Sequence, residues 1–464
     1  MAAVYVILQL TWGIIQSLLG LLILIREGPG KEHFWFHGAY VTRWDQPGGI
    51  SLGMFIFIGD PLMEHGEKYA YLTHEYGHSI QSLIWGPLYV FAIGIPSTRW
   101  GKKYNREMLR QGISYFSVYP EGQANVLGEK ITGIKVPEHI PGEMFDLYDS
   151  LTVELGGVEQ FISIRGVFYE NPVLLVLHGG PGSTLTGMSH TYQRPWEKHF
   201  TVVNWDQRCS GRTGSVSGKT SPVELTVDLM LNDALELTDY LRERFHKDRI
   251  IILGHSWGTL LGTRLALEHP EKYLAFISTG TLVSGRGQAE YLAGFFRRKF
   301  EEEGDSGKLA RLDRIGEYWK EPVQDPDKEL AMNWIIIDEG YSSVKARGVI
   351  SGLRYEIIPM MRAPEYRIKD ALNFFGYKAY PRIINQEMPD FNVEDYGLTY
   401  EIPVYFINGD MDYQTPYPMA LEYFGKITAP DKDFFTLTDC AHCWDIDAPD
   451  QMAQVMCGEL PGRI

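Results

Sequence analysis

The most constraining feature of the chain is a regular alternation of short apolar runs and helix-like segments that begins at Phe161. The apolar runs include "FISIRGV", "PVLLVLHGG", "FTVVNWDQ", "RIIILGHS" and "LAFISTG", and helical sequence separates the later ones. Strands that alternate with helices favour a mostly parallel sheet that carries helices on both faces. We therefore expect an α/β fold in this part of the chain.

The alternation lapses over residues 284–400, where charged helical sequence dominates, and resumes with "IPVYFINGD" and "DFFTLTDCAH". A helical cap insertion within the sheet is the simplest explanation of this gap. Residues 132–149 contain two prolines and no clear periodicity, which indicates a linker. A chain of 464 residues is also too long for one ordinary core. The predicted domains are residues 1–140 and residues 150–464.

A serine motif stands where one apolar run ends and a helical segment begins. Residues 254–258, "GHSWG", fit the pattern G-x-S-x-G. On a cramped strand-to-helix turn, a side chain at either glycine would clash. This turn would present the Ser256 hydroxyl as a nucleophile and aim the Trp257 N–H at a developing oxyanion. The glycine-rich turn "LHGGPGS" upstream supplies Gly180 N–H as a second oxyanion donor.

The remaining parts of a catalytic triad follow in the order Ser, Asp, His that is typical of α/β-hydrolases. "GDMDYQTP" follows one late strand, and we assign Asp412 as the acid that orients a histidine. "DCAHCWD" follows the last strand, and we assign His442 as the base. Asp410 is the alternative acid. Cys440 and Cys443 flank the histidine, but a redox pair is disfavoured because this CxxC does not open a helix.

Five segments, "HGGPG", "WDQRCSGRT", "GHSWG", "GDMDYQTP" and "CAHCWD", together resemble the proline iminopeptidase branch of the α/β-hydrolases. The resemblance covers about residues 155–460, and "APEYRIKDALNFF" is similar to a helical cap segment of such enzymes. One departure is Cys209, where the family usually has glycine. The resemblance implies cleavage of an N-terminal residue, often proline, from short peptides. An esterase or amidase of the same fold is the alternative.

An exopeptidase must recognise a free α-ammonium group, and carboxylates on the cap would bind it through charge-assisted hydrogen bonds. The sequence does not choose among the five cap glutamates considered, which are Glu301, Glu302, Glu303, Glu356 and Glu365. The expected substrate is a small peptide, amide or ester, and the serine chemistry calls for no cofactor.

The motif "HEYGH" lies in the first domain, and its two histidines, His74 and His78, are four residues apart. A helix would place both on one face, where they could bind zinc with Glu75 beside the metal as general base. Downstream, "EGQAN" resembles the E-x-x-A-D ligand motif of membrane-bound zinc peptidases related to CAAX-processing proteases, with Asn125 in place of Asp. This resemblance implies Glu121 as third ligand. A zinc metallopeptidase is therefore an alternative function, and structural hydrogen bonds are the simpler use of these histidines.

Two uncharged stretches predict a membrane-associated, mainly helical first domain. Residues 3–25 are long enough to cross a bilayer, and without a basic leader or cleavage site they indicate an uncleaved anchor. Residues 79–98 span or dip into the membrane, since Pro87 and Pro96 interrupt them. The basic segment 99–110 follows, which predicts a cytoplasmic location for the hydrolase domain.

Charge and cysteine content limit the partners and the compartment. Residues 1–140 hold 11 Lys and Arg against 11 Asp and Glu, so the rest of the chain carries the whole net charge of -16. Such an acidic charge disfavours nucleic acid as a partner. Four cysteines are too few for a disulfide framework, which favours a reducing compartment. A receptor-like fold without a triad is disfavoured because all three triad residue types are present.

Overall fold

The computed structural model describes residues 2–44, 48–59, 68–103, 114–136, 147–167, 170–323, 325–371, 373 and 377–464. The chain divides into two compact units. Unit 1 comprises Met1–Asp146 and Val167–Glu170, and unit 2 comprises Leu147–Gly166 and Asn171–Ile464. Most of the predicted linker, residues 137–146, lies outside the described residues.

Unit 1 combines helices with a small sheet. Its helices are α1 (Ala2–Thr11), α2 (Ile14–Glu27), α3 (Lys68–Trp85), α4 (Ile95–Lys103) and α5 (Tyr119–Thr132), with short 3-10 turns at Gly86–Leu88 and Tyr115–Ser117 and a π turn at Val90–Gly94. Its strands are β1 (His33–Phe36), β2 (Ala39–Trp44), β3 (Gly49–Leu52) and β4 (Phe55–Gly59), in the order β1-β2-β4-β3. Strands β2 and β4 are parallel, and the outer pairs are antiparallel.

The described residues of unit 1 are mainly helical, as predicted, but the sequence did not predict the four-stranded sheet. Each strand has only four to six residues, which is too short for a period-2 pattern to stand out. Strand β4 is buried along its whole length, and Ile56, Phe57 and Ile58 form the centre of a core that includes Leu72 and Tyr76 from α3.

The predicted anchor over residues 3–25 is not one helix. Helix α1 ends at Thr11, where the N–H groups of Trp12 and Gly13 both donate to Leu8 O, and α2 continues at an angle of 93°. Within the described part of the chain, no single helix has the length and apolar character to cross a bilayer, and only this bent pair meets the criterion when taken together. The second uncharged stretch contains the end of α3, two short turns and the start of α4.

Unit 2 contains the remaining elements. Its strands are β5 (Leu147–Leu155), β6 (Val158–Gly166), β7 (Val173–Leu177), β8 (Thr201–Trp205), β9 (Ile250–His255), β10 (Tyr273–Thr279), β11 (Val404–Gly409) and β12 (Lys432–Leu437). The helices outside the cap are α6 (Ser189–Tyr192), α7 (Gly211–Val216), α8 (Val227–Phe245), α9 (Trp257–Glu268), α17 (Tyr417–Lys426), α18 (Trp444–Asp447) and α19 (Pro449–Gln454). Short 3-10 turns occur at Trp196–Lys198 and Pro270–Lys272, and a π turn at Val455–Glu459.

The eight strands form one mixed sheet in the order β12-β11-β10-β9-β7-β8-β6-β5. Strands β7 to β12 pair in parallel, while β5, β6 and β8 form antiparallel pairs. Strands β7, β8, β9 and β11 are buried at every residue, as is typical of parallel strands covered on both faces. The predicted α/β fold is confirmed, with an antiparallel hairpin at one edge.

Helices occupy the segment between β10 and β11. They are α10 (Gly285–Glu303), α11 (Ser306–Ile315), α12 (Pro326–Glu339), α13 (Gly348–Gly352), α14 (Ile358–Met361), α15 (Ile368–Ala371) and α16 (Met388–Asp390), with π turns at Leu353–Ile357 and Ile383–Glu387 and 3-10 turns at Tyr318–Lys320, Tyr377–Ala379 and Val393–Tyr396. An antiparallel bridge between Ser284 and Asn392 joins the two ends of this cap. The cap has a core of its own around Phe296 and Phe300.

Candidate functional site

Ser256 occupies the turn between β9 and α9. Its φ of 55° lies in the left-handed region, which a non-glycine residue rarely adopts. The flanking glycines make this turn possible. A Cβ on Gly254 would lie 2.6 Å from Gly258 O, and one on Gly258 would lie 2.0 Å from Leu177 O. The close approach of three backbone segments therefore leaves Ser256 at the carboxyl end of β9.

His442 follows β12 and has an acidic partner. Its Nδ1 donates a hydrogen bond of 2.8 Å to Asp412 Oδ2, and both side chains are buried. Asp412 also accepts hydrogen bonds from the Thr415 N–H and hydroxyl, both at 2.9 Å. The alternative acid, Asp410, instead accepts from the N–H of Cys440. The geometry favours Asp412, and it leaves His442 Nε2 available for proton transfer.

Ser256 and His442 lie at the same edge of the sheet. The ring of His255, the neighbour of Ser256, is 4.9 Å from the ring of His442. A Cβ on Gly280, directly after β10, would lie 2.9 Å from His442 Cε1, so glycine leaves space for the imidazole. In the described part of the chain, no hydrogen bond joins Ser256 Oγ to His442, and such bonds are often longer before substrate binds.

The glycine-rich turn after β7 approaches the nucleophile. A Cβ on Gly179 would lie 3.0 Å from Ser256 Cβ, so the chain passes Ser256 closely at this glycine. Gly180 follows it with a φ of 110°. Trp257 is the first residue of α9, and N–H groups in the first turn of a helix have no intrahelical acceptor. The structure thus brings the backbone of both predicted oxyanion donors to the region of Ser256.

The segment "WDQRCSGRT" connects the parts of the site, a role that the sequence analysis did not assign. The Trp257 indole donates to Gln207 Oε1 at 3.1 Å, and the Gln207 N–H donates to His178 Nε2 at 3.1 Å. Cys209 has a φ of 60°. This left-handed backbone explains why glycine is usual at this position in the family that the chain resembles. The signal that could have pointed to this role is the family-like motif "WDQRCSGRT" itself.

Asp206, in the same segment, ties the cap to the sheet. Its carboxylate accepts hydrogen bonds from Thr186 Oγ1 at 2.5 Å, from the Arg212 N–H at 2.8 Å and from the cap residue Tyr366 at 2.7 Å. Burial raises the pKa of Asp206 to about 6, against the lowering effect of these donors.

The predicted cap carboxylates separate into three groups. Glu301, Glu302 and Glu303 are exposed at the end of α10. Glu365 is buried and forms an ion pair with Arg165. Glu356 is partly buried, and burial raises its pKa. Burial and then Glu356 also raise the pKa of Asp445, three residues after His442, to about 7. Of these five glutamates, Glu356 is thus the one whose charge acts on Asp445.

A second cluster of polar side chains, which includes two histidines and a glutamate, lies within unit 1. His74 and His78 on α3 each place Nε2 at 3.3 Å from Glu121 Oε2, and all three side chains are buried. His74 Nδ1 donates to Asn125 Oδ1 at 2.6 Å, and His78 Nδ1 donates to Gln81 Oε1 at 2.7 Å. Both imidazoles therefore use Nδ1 for a protein acceptor and turn Nε2 toward Glu121.

Two buried carboxylate oxygens in this cluster and its neighbour Glu75 lack hydrogen-bond partners in the described part of the chain. They are Glu75 Oε2 and Glu121 Oε1. Burial raises the pKa of Glu75, whereas His78 and His74 hold the pKa of Glu121 low despite its burial. Asn125, which replaces the Asp of the resembled motif, supports His74 rather than Glu121. His74, His78 and Glu121 form the group of potential metal ligands found among the described residues.

Comparison with known proteins supports an α/β-hydrolase fold for unit 2. Residues 172–311 match the family model of the alpha/beta hydrolase fold. A probable aminopeptidase, YbaC, of Bacillus subtilis (strain 168) is 27% identical over 308 residues, which cover 66% of this chain and 93% of that protein. A proline iminopeptidase of Saccharolobus solfataricus is 30% identical over 181 residues, which cover 36% of this chain and 53% of that protein.

Among solved structures, a proline iminopeptidase of Mycobacterium smegmatis is similar with a TM-score of 0.46 and 20% identity, over 67% of this chain and 96% of that one. The family-model match and the two sequence relatives show an α/β-hydrolase fold in unit 2, with proline iminopeptidase-like relatives at modest identity, which supports a hydrolase.

Proposed function

We propose that unit 2 is a serine hydrolase with Ser256 as nucleophile, His442 as general base and Asp412 as the acid that orients it. The observation that carries this proposal is the 2.8 Å hydrogen bond from His442 Nδ1 to Asp412 beside the strained Ser256 turn. With Nδ1 occupied, His442 has the tautomer in which Nε2 accepts a proton.

The reaction proceeds in two stages. Ser256 Oγ attacks the substrate carbonyl carbon while His442 Nε2 takes its proton, and the backbone N–H groups of Trp257 and Gly180 stabilise the oxyanion. His442 then protonates the leaving group, which departs and leaves an acyl-enzyme. Water, deprotonated by the same histidine, attacks the acyl group and releases the acid and free Ser256. Loss of one oxyanion donor in such sites costs about 3 kcal/mol of barrier.

The favoured substrate is a short peptide from which an N-terminal residue, often proline, is removed. The names of the relatives, a probable aminopeptidase and a proline iminopeptidase, support this choice. Asp445, three residues after His442, interacts electrostatically with Glu356 of the cap, and this acidic pair suits the free α-ammonium of such a substrate. An ester or amide without an amine remains the alternative substrate class.

Replacement of the nucleophile tests the reaction. We expect Ser256→Ala to reduce kcat on a prolyl arylamide by at least about a thousandfold and to abolish labelling by a fluorophosphonate probe. Ser221→Ala, a change at a partly exposed serine, serves as the control and should leave both readouts unchanged. Activity that persists in Ser256→Ala but disappears with a chelator would refute the proposal.

Glu356→Gln and Asp445→Asn test the substrate class. If these side chains bind the amine, each variant raises KM for the prolyl arylamide more than tenfold and leaves hydrolysis of an ester without an amine unchanged. An equal loss on both reporters would remove the exopeptidase assignment without affecting the serine mechanism.

A second candidate function is a metal-dependent hydrolytic centre in unit 1, with His74, His78 and Glu121 as zinc ligands. The spacing of the potential ligand atoms supports it. Zinc bonds of about 2.0–2.1 Å at tetrahedral angles require ligand atoms about 3.3–3.4 Å apart, and both histidines lie at 3.3 Å from Glu121 Oε2. A hydrogen-bonded pair with a charged partner would be shorter, at about 2.7–2.9 Å.

The surrounding residues also suit a metal. Asn125 and Gln81 accept from the Nδ1 atoms, so the Nε2 atoms, which both face Glu121, are the ones that would coordinate a metal. Held by His74, His78 and Glu121, zinc would supply an activated water and would polarise a carbonyl group. Glu75, buried and with one unpartnered oxygen, is the proton acceptor that the chain offers beside this site.

Metal binding is measured directly on the purified chain by elemental analysis and titration calorimetry. We expect one zinc per chain, a loss of binding in His74→Ala, and an affinity reduced by about 10–100-fold in Asn125→Ala. His33→Ala, which changes a histidine of β1, is the control and should bind zinc normally. Zinc binding that survives His74→Ala would place the metal elsewhere.

A further inference from the structure

The first two helices of unit 1 have an inverted distribution of polarity. Their glutamines, Gln9 and Gln16, have no exposed surface, whereas Ile7 is 60% and Leu22 is 64% exposed. Helices at the surface of a protein in water normally bury the apolar stripe and expose the polar one. This helix pair does the reverse.

Hydrogen bonds hold the polar side chains inward. Gln9 Nε2 donates to Ser79 O at 2.9 Å, and Gln9 Oε1 accepts from Ser82 Oγ at 3.0 Å. Gln16 Nε2 donates to Gly86 O, and the Ser17 hydroxyl donates to Gln9 O. Rotation of either helix to bury its apolar side chains would break these bonds and leave buried polar groups without partners, which is costly. The outward orientation of the apolar residues is therefore built into the fold.

A neighbouring segment extends the same surface. Gly86, which accepts the hydrogen bond from Gln16, begins the short turns that carry Leu88 and Phe91, and these are 60% and 70% exposed. We call this surface the apolar face, with Val4, Ile7, Leu18, Leu22, Leu88 and Phe91 as its representative residues. Large exposed apolar patches mark interaction sites.

Its chemistry favours lipid over a protein partner. Residues 2–25 and 79–98 contain no charged side chain. Protein interfaces form about one hydrogen bond per 100–200 Å², but the apolar face offers few hydrogen-bond donors or acceptors to a protein partner. The exposed hydroxyl of Thr11 donates within its own helix, to Ile7 O at 2.8 Å, as a group surrounded by hydrocarbon must do.

Basic residues lie where the apolar stretches end. Arg26, which pairs with Glu27, follows the last exposed apolar residue of α2, and Arg99 and Lys103 lie in α4 after the second stretch. Positive side chains at the ends of an apolar segment suit the anionic head groups of a membrane surface. The charge pattern therefore complements a lipid bilayer.

The geometry of α1 and α2 limits how deep the face can reach. At 1.5 Å per residue, their 10 and 14 residues correspond to about 15 and 21 Å, less than the hydrocarbon core of about 30 Å. The 93° bend prevents them from adding up to one straight span. We propose that unit 1 embeds the apolar face in one leaflet of a lipid bilayer without crossing it, with Arg26, Arg99 and Lys103 at the head groups.

Vesicle flotation of the full chain tests this proposal. We expect the wild type to float with phosphatidylcholine vesicles that contain phosphatidylglycerol, and the double variant Ile7→Glu/Leu22→Glu to show at least tenfold lower binding. Leu421→Glu, at an exposed leucine of unit 2, is the matched control and should bind as the wild type does. Unchanged circular dichroism must accompany the loss of binding. A defined oligomer without lipid that the double variant dissociates would overturn the proposal in favour of a second copy.

Depth is tested by quenching of Trp12, which is partly exposed on the helix pair, with brominated lipids. The difference between the wild type and Trp12→Phe isolates this tryptophan. Strongest quenching by bromines near the head groups is the expected result. Absence of quenching by bromines at any depth would overturn the placement of the apolar face in the bilayer. Both experiments measure lipid binding alone, so their outcome is independent of the Ser256 chemistry.

Discussion

At the scale of single residues, the candidate hydrolase site depends on unusual backbone at non-glycine positions. Ser256 and Cys209 have φ values of 55° and 60°. Such conformations cost about 1–3 kcal/mol each and persist where surrounding structure enforces them. At Ser256, the glycines at positions 254 and 258 allow the neighbouring segments to enforce it. At Ser256, this backbone strain is therefore located at the residue that would act as the nucleophile.

The two aspartates after β11 provide a direct comparison. We expect Asp412→Asn to lower kcat about ten-thousandfold while the fold is retained, because His442 would no longer be held in the reactive tautomer. Asp410→Asn removes a charge but keeps an oxygen that can accept from the Cys440 N–H, so it should change kcat less than tenfold. Steady-state kinetics on a prolyl arylamide, with circular dichroism for folding, would distinguish them. A larger effect in the Asp410 variant would reverse the assignment.

Asp206 predicts a pH dependence of stability. Its pKa is raised from 3.8 to about 6, so the folded chain binds this proton more tightly than the unfolded chain does. Stability from Asp206 is therefore complete below pH 4 and is lost as pH rises toward 6, by up to about 3 kcal/mol. Urea unfolding of unit 2 at several pH values should show this slope in the wild type and a smaller slope in Asp206→Asn. Equal slopes would contradict the prediction.

At the scale of secondary-structure elements, the crossing of α3 and α5 assembles the candidate metal site. A Cβ on Gly77 of α3 would lie 1.8 Å from Ala124 O, and one on Gly128 of α5 would lie 2.0 Å from Thr73 O. Each helix thus places a glycine against the backbone of the other. This close approach brings Glu121 within 3.3 Å of both histidines.

Gly77→Ala should separate the two helices, because the new methyl group meets backbone and not a flexible side chain. We expect a loss of about 1–3 kcal/mol in stability and at least tenfold weaker zinc binding. Gly94→Ala is the control, since its Cβ would have no neighbour closer than 4.0 Å. Thermal unfolding and calorimetric zinc titration of both variants provide the measurement. Undiminished zinc affinity in Gly77→Ala would show that zinc binding does not depend on the close packing of α3 and α5.

At the scale of the whole molecule, the chain combines two units with different proposed chemistry. Unit 1 has a core around β4 and α3, and unit 2 has one around its eight-stranded sheet. The candidate zinc ligands all belong to unit 1, and the candidate triad belongs entirely to unit 2. A metal should therefore act on one unit without being required by the other.

Hydrogen exchange can test this independence. Zinc should slow exchange in α3 and α5, because a ligand that binds only the folded state stabilises it by about 2.7 kcal/mol at a hundredfold excess over Kd. Exchange in β9 and α9 should remain unchanged, and a chelator should not alter hydrolysis that depends on Ser256. His74→Ala should abolish the effect of zinc. A chelator-induced loss of hydrolysis would show that the two chemistries are coupled.

The extent of sequence prediction differed between the units. In unit 2, strand and helix periodicity and the glycines around Ser256 predicted the fold, because these requirements act over a few neighbouring residues. In unit 1, the sequence did not predict the short strands. The uncharged residues 3–25 were predicted to form one spanning helix, but α1 ends at Thr11. The apolar composition of a segment indicates that it is removed from water, but it does not indicate where its helix bends.

The sequence by itself determined the α/β alternation, the chain order Ser256, Asp412, His442 and the helical spacing of His74 and His78. Tertiary structure decided which groups meet over long separations, such as His442 with Asp412 across 30 residues and His78 with Glu121 across 43. It also decided that the polar side chains of α1 and α2 face inward. Local patterns follow from backbone geometry, whereas these pairings follow from the packing of distant elements, which no local pattern encodes.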